Sequence, residues 1–281
     1  MASIQVVTDS ACDLSTTTTE ERDVRVVPLT IRFGAEELVD RDELSGKEFW
    51  DRVITGPDMP ATAAPSPGAF QQAFLEAHDA GCSGVVCATI SSGLSATYQS
   101  AVTAAETVAD RIPVRVVDTQ SVTGGQGLLA LAAADMAASG AALDDIVAAL
   151  EDMKGRTHVY GVVDSLDYLR RGGRIGGAAK LVGSLLSIKP VIEVRDGVVE
   201  VESKQRTRSR SLQYLANKAI ELGPLDRLAA TNGVAPDFDL VLDMLRKATT
   251  EHELVIGELG PVVGSHTGPG SVGVCFITKA R

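Results

Sequence analysis

Hydroxyl-bearing residues follow three short β-branched runs of the sequence, a pattern typical of an anion site. The segments are Thr8–Ser10, Ser91–Gly93 and Asp118–Ser121. If the runs are parallel strands of one sheet, their carboxyl ends meet in one crevice, where the N-termini of the following helices favour a negatively charged ligand. Gly93 would let the backbone approach that ligand closely. The same hydroxyls could instead cap helices, because serine and threonine are preferred capping residues.

A glycine-rich segment near the end of the chain carries the second chemical candidate. His266 is one of four histidines and lies within Gly264–Ser271. The glycines predict a loop that can bring the imidazole close to a ligand. The alternative is a turn whose histidine is exposed or already hydrogen-bonded, which is the commoner situation for an isolated histidine.

Basic residues are concentrated in one segment of an otherwise acidic chain. From Lys154 to Arg210 the sequence holds 12 basic and 6 acidic residues, whereas the remainder holds 14 basic and 31 acidic residues. The segment includes Arg170, Arg171 and Arg206. It predicts a docking surface for an acidic partner or a phosphate group, with a solvated basic face as the alternative.

Composition and missing motifs exclude several functions. The net charge of −11 and the aromatic content of 4% argue against a general nucleic-acid-binding protein. The four cysteines form neither a C-x-x-C pair nor a zinc-like cluster with histidine. The chain also lacks a G-x-S-x-G elbow and a G-x-x-x-x-G-K-[ST] phosphate loop. We therefore predict no metal, no cofactor and no catalytic residue set.

The candidate residues must be positioned by strands and helices, which alternate in the first half of the chain. The predicted strands are Ile4–Val7, Arg25–Leu29, Gly84–Ile90 and Val114–Val117, and the predicted helices are Pro67–Ala80, Ser95–Asp110 and Gly125–Ser139. Continuous apolar strands separated by helices favour a parallel sheet covered on both faces. Pro28 predicts an edge position for its strand, or the end of that strand. The proline-rich segment Thr62–Pro67 predicts an irregular loop.

The pattern changes after about residue 157, where hairpins and helices mix. Asp196 and Gly197 form the turn of a predicted hairpin, and a long helix follows from about Arg208 to Leu222. We predict an α/β protein of two domains. Residues 1–157 form a domain with a mostly parallel sheet and flanking helices, and residues 158–281 form an α+β domain with a mixed or antiparallel sheet.

Targeting and membrane-spanning segments are not predicted. The N-terminal residues carry Asp9 and Asp13 and lack a basic stretch before an apolar run, unlike a signal peptide. The most apolar long stretch, Gly127–Leu143, is interrupted by Asp135 and is too short to span a bilayer. We expect a cytoplasmic protein with free thiols.

Six segments, taken together and in this order, resemble the DegV family over essentially the whole chain. They are Val6–Ser10, Thr62 with Pro65–Pro67, Ile90–Tyr98, Leu169–Ile175, Lys189-Pro190, and His266 with Gly268–Gly270. The strings S-S-G-L-S-A-T-Y and G-G-R-I are specific in combination. The sequence departs from the family at Ala63 and Ala64, which stand where the family has a polar pair.

The resemblance implies a two-domain protein that holds one long-chain fatty acid between its domains. In the bacterial fatty acid kinase system such a protein is the lipid-carrying subunit and has no catalysis of its own. It presents the fatty acid carboxylate to a separate ATP-dependent kinase, which makes the acyl phosphate. Carried over to this sequence, the resemblance implies that the carboxylate is held by Thr62, Ser91, Ser92, Gly93 and His266.

The same resemblance implies contacts with the kinase. Arg170 or Arg171, together with Arg206, match positions linked in the family to kinase docking or phosphate handling. The fatty acid is the ligand, no further cofactor is implied, and transient contact with a membrane is compatible with this role.

Two other functions remain open at this point. One is a stand-alone hydrolase or phosphatase that uses the serine, histidine and aspartate residues of the crevice, although the nucleophile motifs are missing. The other is a regulatory module that binds a different small anion, which polar residues lining the cleft would favour. The leading hypothesis requires an apolar slot between the domains, closed at one end by Thr62, Ser92 and His266.

Overall fold

The computed structural model describes residues 3–181, 188–248 and 253–280. In chain order, the strands β1 to β13 of the described residues are Ile4–Asp9, Val24–Val27, Thr30–Phe33, Glu36–Val39, Ala61–Ala63, Gly84–Thr89, Val114–Asp118, Thr157–Val162, Lys189–Arg195, Val198–Gln205, Leu225–Gly233, Leu254–Glu258 and Ser271–Thr278. Their helices α1 to α10 are Thr16–Glu21, Gly46–Thr55, Pro67–Asp79, Thr97–Thr107, Thr123–Ala138, Leu143–Lys154, Asp167–Arg171, Arg208–Glu221, Phe238–Ala248 and Pro261–Thr267.

The N-terminal domain is built on a parallel sheet with the strand order β2-β1-β6-β7. The apolar residues of β6 are buried on both faces, as expected for a parallel strand covered by helices. Helices α3 and α4 pack on one face, and α5 and α6 pack on the other. Strand β2 lies at the edge of the sheet, which confirms the position predicted from Pro28.

Helix α5 lies between the two sheets of the protein and is buried on almost every side of its first three turns. A Cβ atom on Gly124 would lie 3.1 Å from the Cβ of Ala229, and one on Gly127 would lie 2.8 Å from the carbonyl oxygen of Cys12. Glycine at these positions therefore lets the helix touch elements of both domains. A helix that is apolar all round belongs in a core, and this one joins the two sheets through a common core.

The C-terminal domain is built on a mixed sheet with the strand order β10-β9-β8-β13-β11-β12. Only the pairing of β11 with β12 is parallel, so the predicted α+β domain with a mixed sheet is confirmed. Asp196 and Gly197 form the β9–β10 turn with φ values of 50° and 79°, as the Asp-Gly pair predicted. Helices α8 and α9 cover the outer face of the sheet.

A small antiparallel sheet, in the order β4-β3-β5, was not predicted from the sequence. Thr62 lies in the middle of β5 and pairs with Ile31 of β3. The prediction of an irregular loop at Thr62–Pro67 was therefore wrong for its first two residues. Pairing with β3 supplies the hydrogen bonds that make the segment extended, and the prolines begin only after it. Helix α3 starts at Pro67, at the beginning of the predicted helix.

The segment Gly264–Ser271 is not a loop throughout, which corrects a second prediction. Pro261 begins helix α10, and His266 lies in its last turn. Gly268, with a φ of 73°, follows the helix in a conformation that suits glycine. Helix α10 packs against α2 so closely that a Cβ on Gly264 would lie 2.6 Å from the Phe49 ring. The tight contact explains why glycine occurs inside this helix.

The mixed sheet begins at Thr157, beside the domain boundary predicted at residues 157 and 158. That boundary stays a prediction, because α5 packs on both sheets. In the part of the chain that the structure describes, no helix is both long and apolar enough to cross a membrane.

Candidate functional site

Two small chambers lie side by side between the two domains and share part of their walls. Each chamber holds about 70 Å³ of space for water-sized molecules. Their common wall residues are Val122, Leu169, Val199, Val263 and Thr267. Each volume is smaller than that of a usual small-molecule site, so a long ligand would fit only if the chambers widen when it binds. The walls of the space between the domains are mainly aliphatic, as the expected slot requires.

The first chamber ends at a hydroxyl–imidazole pair. Thr62 Oγ1 lies 2.9 Å from His266 Nε2, although the two residues are 204 positions apart in the sequence. Strand β5 holds Thr62 in the N-terminal domain, and helix α10 presents His266 from the C-terminal domain. The two predicted residues therefore meet across the domain interface and line the same chamber.

Arg174 and Ser95 complete the polar end of the first chamber. Arg174 Nε donates to the carbonyl oxygen of Leu94 at 2.9 Å, and its Nη1 donates to that of Gly172 at 2.7 Å. These two bonds fix a guanidinium charge beside the chamber. Ser95 Oγ lies 2.8 Å from Thr97 Oγ1, at the start of helix α4.

His266 is held as a neutral imidazole. Burial, and secondarily the positive charge of Arg174, lower the pKa of His266 to about 4. Its second ring nitrogen, Nδ1, is buried and has no hydrogen-bond partner. A Cβ on Gly172 would lie only 2.1 Å from this Nδ1 atom, so glycine at residue 172 leaves the space that the ring occupies.

The floor of the second chamber is a row of residues across the mixed sheet. Strand register places Thr231 beside Gly273, Gly273 beside Gly161, and Gly161 beside Ile192. All four residues line the second chamber. Because the two central positions have no side chains, the row forms a shallow trough between Thr231 and Ile192, and the Thr231 hydroxyl leans over Gly273, 2.4 Å from where a Cβ atom would lie.

The carboxyl end of β1, at Thr8–Ser10, does not line either chamber. Thr8 Oγ1 donates to the carbonyl oxygen of Ala88, and Ser10 Oγ accepts from the N–H of Leu29. The buried Asp9 carboxylate accepts from the N–H of Ile90 at 2.7 Å. Burial raises the pKa of Asp9 to about 6 despite these bonds. The capping and packing alternative therefore applies at Thr8–Ser10, and the predicted anion crevice is wrong there.

The second and third strand ends bond to each other and to the hairpin of the C-terminal domain. Ser92 is exposed, and its Oγ lies 2.5 Å from Asp118 Oδ2. Ser91 Oγ donates to the carbonyl oxygen of Gly197 at 2.7 Å and accepts from the N–H of Gly93 at 3.1 Å. These three predicted site residues are not among those lining the two chambers. That Ser92 closes the slot beside Thr62 therefore stays a prediction.

The three predicted partner-contact arginines are exposed. Arg170 and Arg171 end helix α7, and Arg170 forms an ion pair with Asp167 at 3.0 Å. Arg206 follows strand β10. Exposed ion pairs contribute little to stability, so these side chains are available for another role.

Comparison with known proteins places this architecture in a family. Residues 3–279 match the family model described as "Uncharacterised protein, DegV family". A DegV domain-containing protein of Streptomyces coelicolor is 36% identical over 281 residues, which cover 98% of this chain and 99% of that protein. This chain belongs to the DegV family.

Solved DegV structures are similar over their full length. A fatty-acid-binding DegV family protein from Thermus thermophilus has a TM-score of 0.89 and 32% identity, covering 99% of this chain and 100% of that one. DegV from Bacillus subtilis, a fatty acid binding protein, has a TM-score of 0.89 and 30% identity with the same coverage. A stearic-acid-binding protein from Eubacterium ventriosum has a TM-score of 0.88 and 27% identity, covering 99% of each chain.

Sequence reasoning missed Ser95 and Arg174 as cavity residues of this DegV protein. Both were inside segments that carry the family resemblance, so the signal was present. The sequence does not show which way these side chains point, because Arg174 reaches the first chamber only after the chain turns at Gly172 and Gly173. Among residues 3–181, 188–248 and 253–280, no group of three or more His, Cys, Asp or Glu side chains is placed to hold a metal ion.

Proposed function

We propose that this DegV protein binds one long-chain fatty acid in the interdomain cavity. The acyl chain would occupy the aliphatic second chamber, and the carboxylate would lie at Thr62 and His266 in the first. The observation that carries the proposal is the Thr62–His266 pair at the polar end of an otherwise aliphatic cavity. Three structural neighbours that are described as binding fatty acid or stearic acid support it.

The carboxylate is recognised by neutral donors and by one fixed positive charge. A buried N–H group without a partner is rarer than a buried acceptor without one, so the unpartnered Nδ1 of His266 is assigned as the acceptor. His266 Nε2–H then donates to Thr62 Oγ1, and the Thr62 hydroxyl is free to donate to the ligand. Arg174 adds electrostatic attraction for the anion.

The affinity for the fatty acid and the position of its carboxylate are determined by different parts of the ligand. Burying about fourteen methylene groups at ~0.8 kcal/mol each contributes on the order of 11 kcal/mol before ordering costs. A hydrogen bond to a charged head group contributes only ~1.5–3 kcal/mol. The acyl chain therefore dominates affinity, while Thr62 and His266 fix the position of the carboxylate.

The participation of Ser91, Ser92 and Gly93 in carboxylate binding stays a prediction. Ser91 links the strand end to the hairpin at Gly197, and Ser92 is bonded to Asp118. A role for them would require these bonds to rearrange when the ligand binds. Ser95, which does line the first chamber, is the better placed serine.

We further propose that the protein presents its fatty acid to a separate ATP-dependent kinase in the cytoplasm, which forms the acyl phosphate. Arg170, Arg171 and Arg206 would dock this partner or contact the phosphate group. Their exposure supports this role. The protein itself would have no catalytic activity and no cofactor besides the bound lipid.

Native mass spectrometry of the purified protein tests the ligand class. We expect a retained mass equal to one aliphatic acid. After delipidation, Thr62→Ala and His266→Ala should weaken octadecanoate binding modestly and reduce phosphorylation by the partner kinase much more. Complete loss of octadecanoate binding in a correctly folded variant would contradict this division between chain and head group.

Charge reversal tests the docking surface. Arg171→Glu and Arg206→Glu should leave octadecanoate binding intact and abolish phosphorylation by the kinase. Arg111→Glu, which alters an exposed arginine of the N-terminal domain, serves as the control and should behave as wild type. Unchanged phosphorylation in both test variants would remove the docking role.

The hydrolase alternative is not favoured by the geometry around His266. A catalytic histidine needs its second nitrogen oriented by a partner, whereas Nδ1 of His266 has none. The low pKa of His266, about 4, also makes it a weak general base. A regulatory site for a small polar anion would need a polar cleft, and the chamber walls are mainly aliphatic.

A further inference from the structure

Two buried threonine hydroxyls line the apolar second chamber without hydrogen-bond partners. Thr231 is 1% exposed and Thr123 is 4% exposed, and the Oγ1 atom of each has no partner. Thr231 projects from the floor of the chamber on β11, and Thr123 comes from the start of helix α5 in the other domain. The polar groups therefore reach the chamber from both domains.

Two other hydroxyls of the same chamber, those of Thr267 and Ser271, have hydrogen-bond partners. Thr267 Oγ1 donates to the carbonyl oxygen of Val263 at 3.2 Å, and Ser271 Oγ donates to that of Gly268 at 2.8 Å. A buried hydroxyl without a partner costs roughly 1–3 kcal/mol. Valine has almost the same shape as threonine, so an apolar chain alone gives no reason for a hydroxyl at Thr231, whereas the Thr123 hydroxyl lies beside the carboxylate of Asp13.

The backbone of Thr123 is also strained. Its φ of 50° is a left-handed conformation, which is unfavourable for a β-branched residue. The side chain lies beside the buried carboxylate of Asp13, but without a hydrogen bond of normal geometry. Strain of this kind persists where the surrounding structure enforces it, often beside a ligand.

We infer that the second chamber accepts an acyl chain that carries an oxygen function, such as a hydroxyl group, with Thr231 as its hydrogen-bonding partner. This rests on the proposed fatty acid binding and narrows its ligand class to oxygenated long-chain acids. The trough over Gly273 and Gly161 leads to Thr231, so the chain can pass along the floor and bring its oxygen to that hydroxyl. The carboxylate end and the chain oxygen would then be recognised at separate places in one cavity.

Binding of octadecanoic acid is compared with that of a positional series of hydroxyoctadecanoic acids, using the delipidated full-length protein. We expect at least one positional isomer to bind about 10-fold more tightly than octadecanoic acid, which corresponds to about 1.4 kcal/mol. Thr231→Val should abolish this preference, because it removes the hydroxyl and keeps the shape. Thr231→Ser should retain the preference, and Thr19→Val, which removes a buried hydroxyl that bonds to Thr16 away from the two chambers, is the matched control.

The outcomes separate this inference from the proposed function. If octadecanoic acid binds tightly but no isomer is preferred, or if the preference survives in Thr231→Val, the inference is wrong and the fatty acid site stands. The threonines would then be solvated by trapped water or simply unpaired. If none of these acids binds to the wild-type protein, the proposed function fails and the inference fails with it.

Discussion

The carboxylate of Asp13 caps the N-terminus of the helix that carries His266. Asp13 Oδ1 accepts from the N–H of Gly260 at 2.9 Å, across 247 positions of sequence and from one domain to the other. Gly260 precedes helix α10 and has no side chain with which to cap it. The N-terminal domain therefore helps to hold the helix that presents the imidazole, through a group far from the cavity's polar end.

Replacing Asp13 by asparagine should stabilise the protein at alkaline pH. Burial raises the pKa of Asp13 from 3.8 to about 7, although the nearby Thr123 hydroxyl and the hydrogen bond from the N–H of Gly260 act to lower it. Because the folded pKa exceeds the unfolded one, the native state binds more protons between these values, and stability is lost as pH rises through about 7. Asp13→Asn keeps an acceptor without the charge, so its free energy of unfolding at pH 8 should exceed that of wild type by at least ~1 kcal/mol.

Urea unfolding at several pH values between about 5 and 8 measures this effect. The variant should have a flatter pH dependence, although Asp9 and Asp40 keep part of the slope, because burial raises the pKa of each to about 6. Asp167→Asn is the control and should leave the slope unchanged, since the ordinary pKa of 3.8 already lies below this range and Arg170 lowers the pKa of Asp167 further. Equal slopes for wild type and Asp13→Asn would show that Asp13 does not titrate as stated.

A methyl group at residue 172 should displace His266. The Cβ of Gly172→Ala would lie 2.1 Å from Nδ1, so the ring must move away from Thr62. We expect octadecanoate affinity to fall about 10-fold and stability to fall by about 1–3 kcal/mol. Isothermal titration calorimetry and thermal unfolding measure the two effects.

Gly173→Ala is the matched control for this variant. Gly173 has a φ of 71°, so alanine should cost about 1–2 kcal/mol in stability, but its Cβ would meet nothing within 4 Å. Its affinity for octadecanoate should therefore stay at the wild-type value. Equal losses of affinity in both variants would mean that helix stability, and not the position of His266, controls binding.

Sequence patterns predicted the sheets well because they depend on local periodicity. The buried run of β6 and the Asp-Gly turn at residues 196 and 197 are local signals, and both elements form where expected. The small sheet was missed because β5 is only three residues long and becomes extended by pairing with β3. Helix α10 was missed because its glycines suggested a loop, whereas packing against Phe49 requires one of them.

The candidate site was predictable in part, because some of its residues lie in short segments with recognisable patterns. Thr62 and His266 lie in segments with recognisable motifs, and they meet in the structure. Ser92 lies in an equally recognisable motif, but its hydroxyl bonds to the carboxylate of Asp118. This contact forms because β6 and β7 are neighbours in the sheet, which the motif alone does not show. The glycine trough depends on register between three strands, which single-strand patterns do not encode.

Filling the trough should shorten the acyl chain that the protein accepts. Gly161→Leu would place a side chain on the floor of the second chamber. We expect octadecanoate affinity to fall by an order of magnitude or more, since each excluded methylene loses ~0.8 kcal/mol, while dodecanoate affinity changes less. Calorimetric titration with both acids measures the ratio.

The Gly161→Ala variant distinguishes the effect of filling the trough from a general disturbance of the mixed sheet. Its Cβ would lie 3.5 Å from Ile192 Cγ1, an ordinary contact, so both affinities should stay close to wild type. If Gly161→Leu weakens the two acids equally, the acyl chain does not run along this trough.

Histidine-selective NMR should find His266 neutral in the ligand-free protein. Burial and Arg174 lower its pKa to about 4, so its ring signals should not titrate between about pH 5.5 and 8. Octadecanoate would place a negative charge beside the imidazole and thereby raise its pKa, because an anion favours the imidazolium form. Arg174→Gln should raise the pKa only slightly, since burial is the larger cause. A ligand-free titration midpoint near 6.5 would mean that the imidazole is solvated and that the first chamber is open to water.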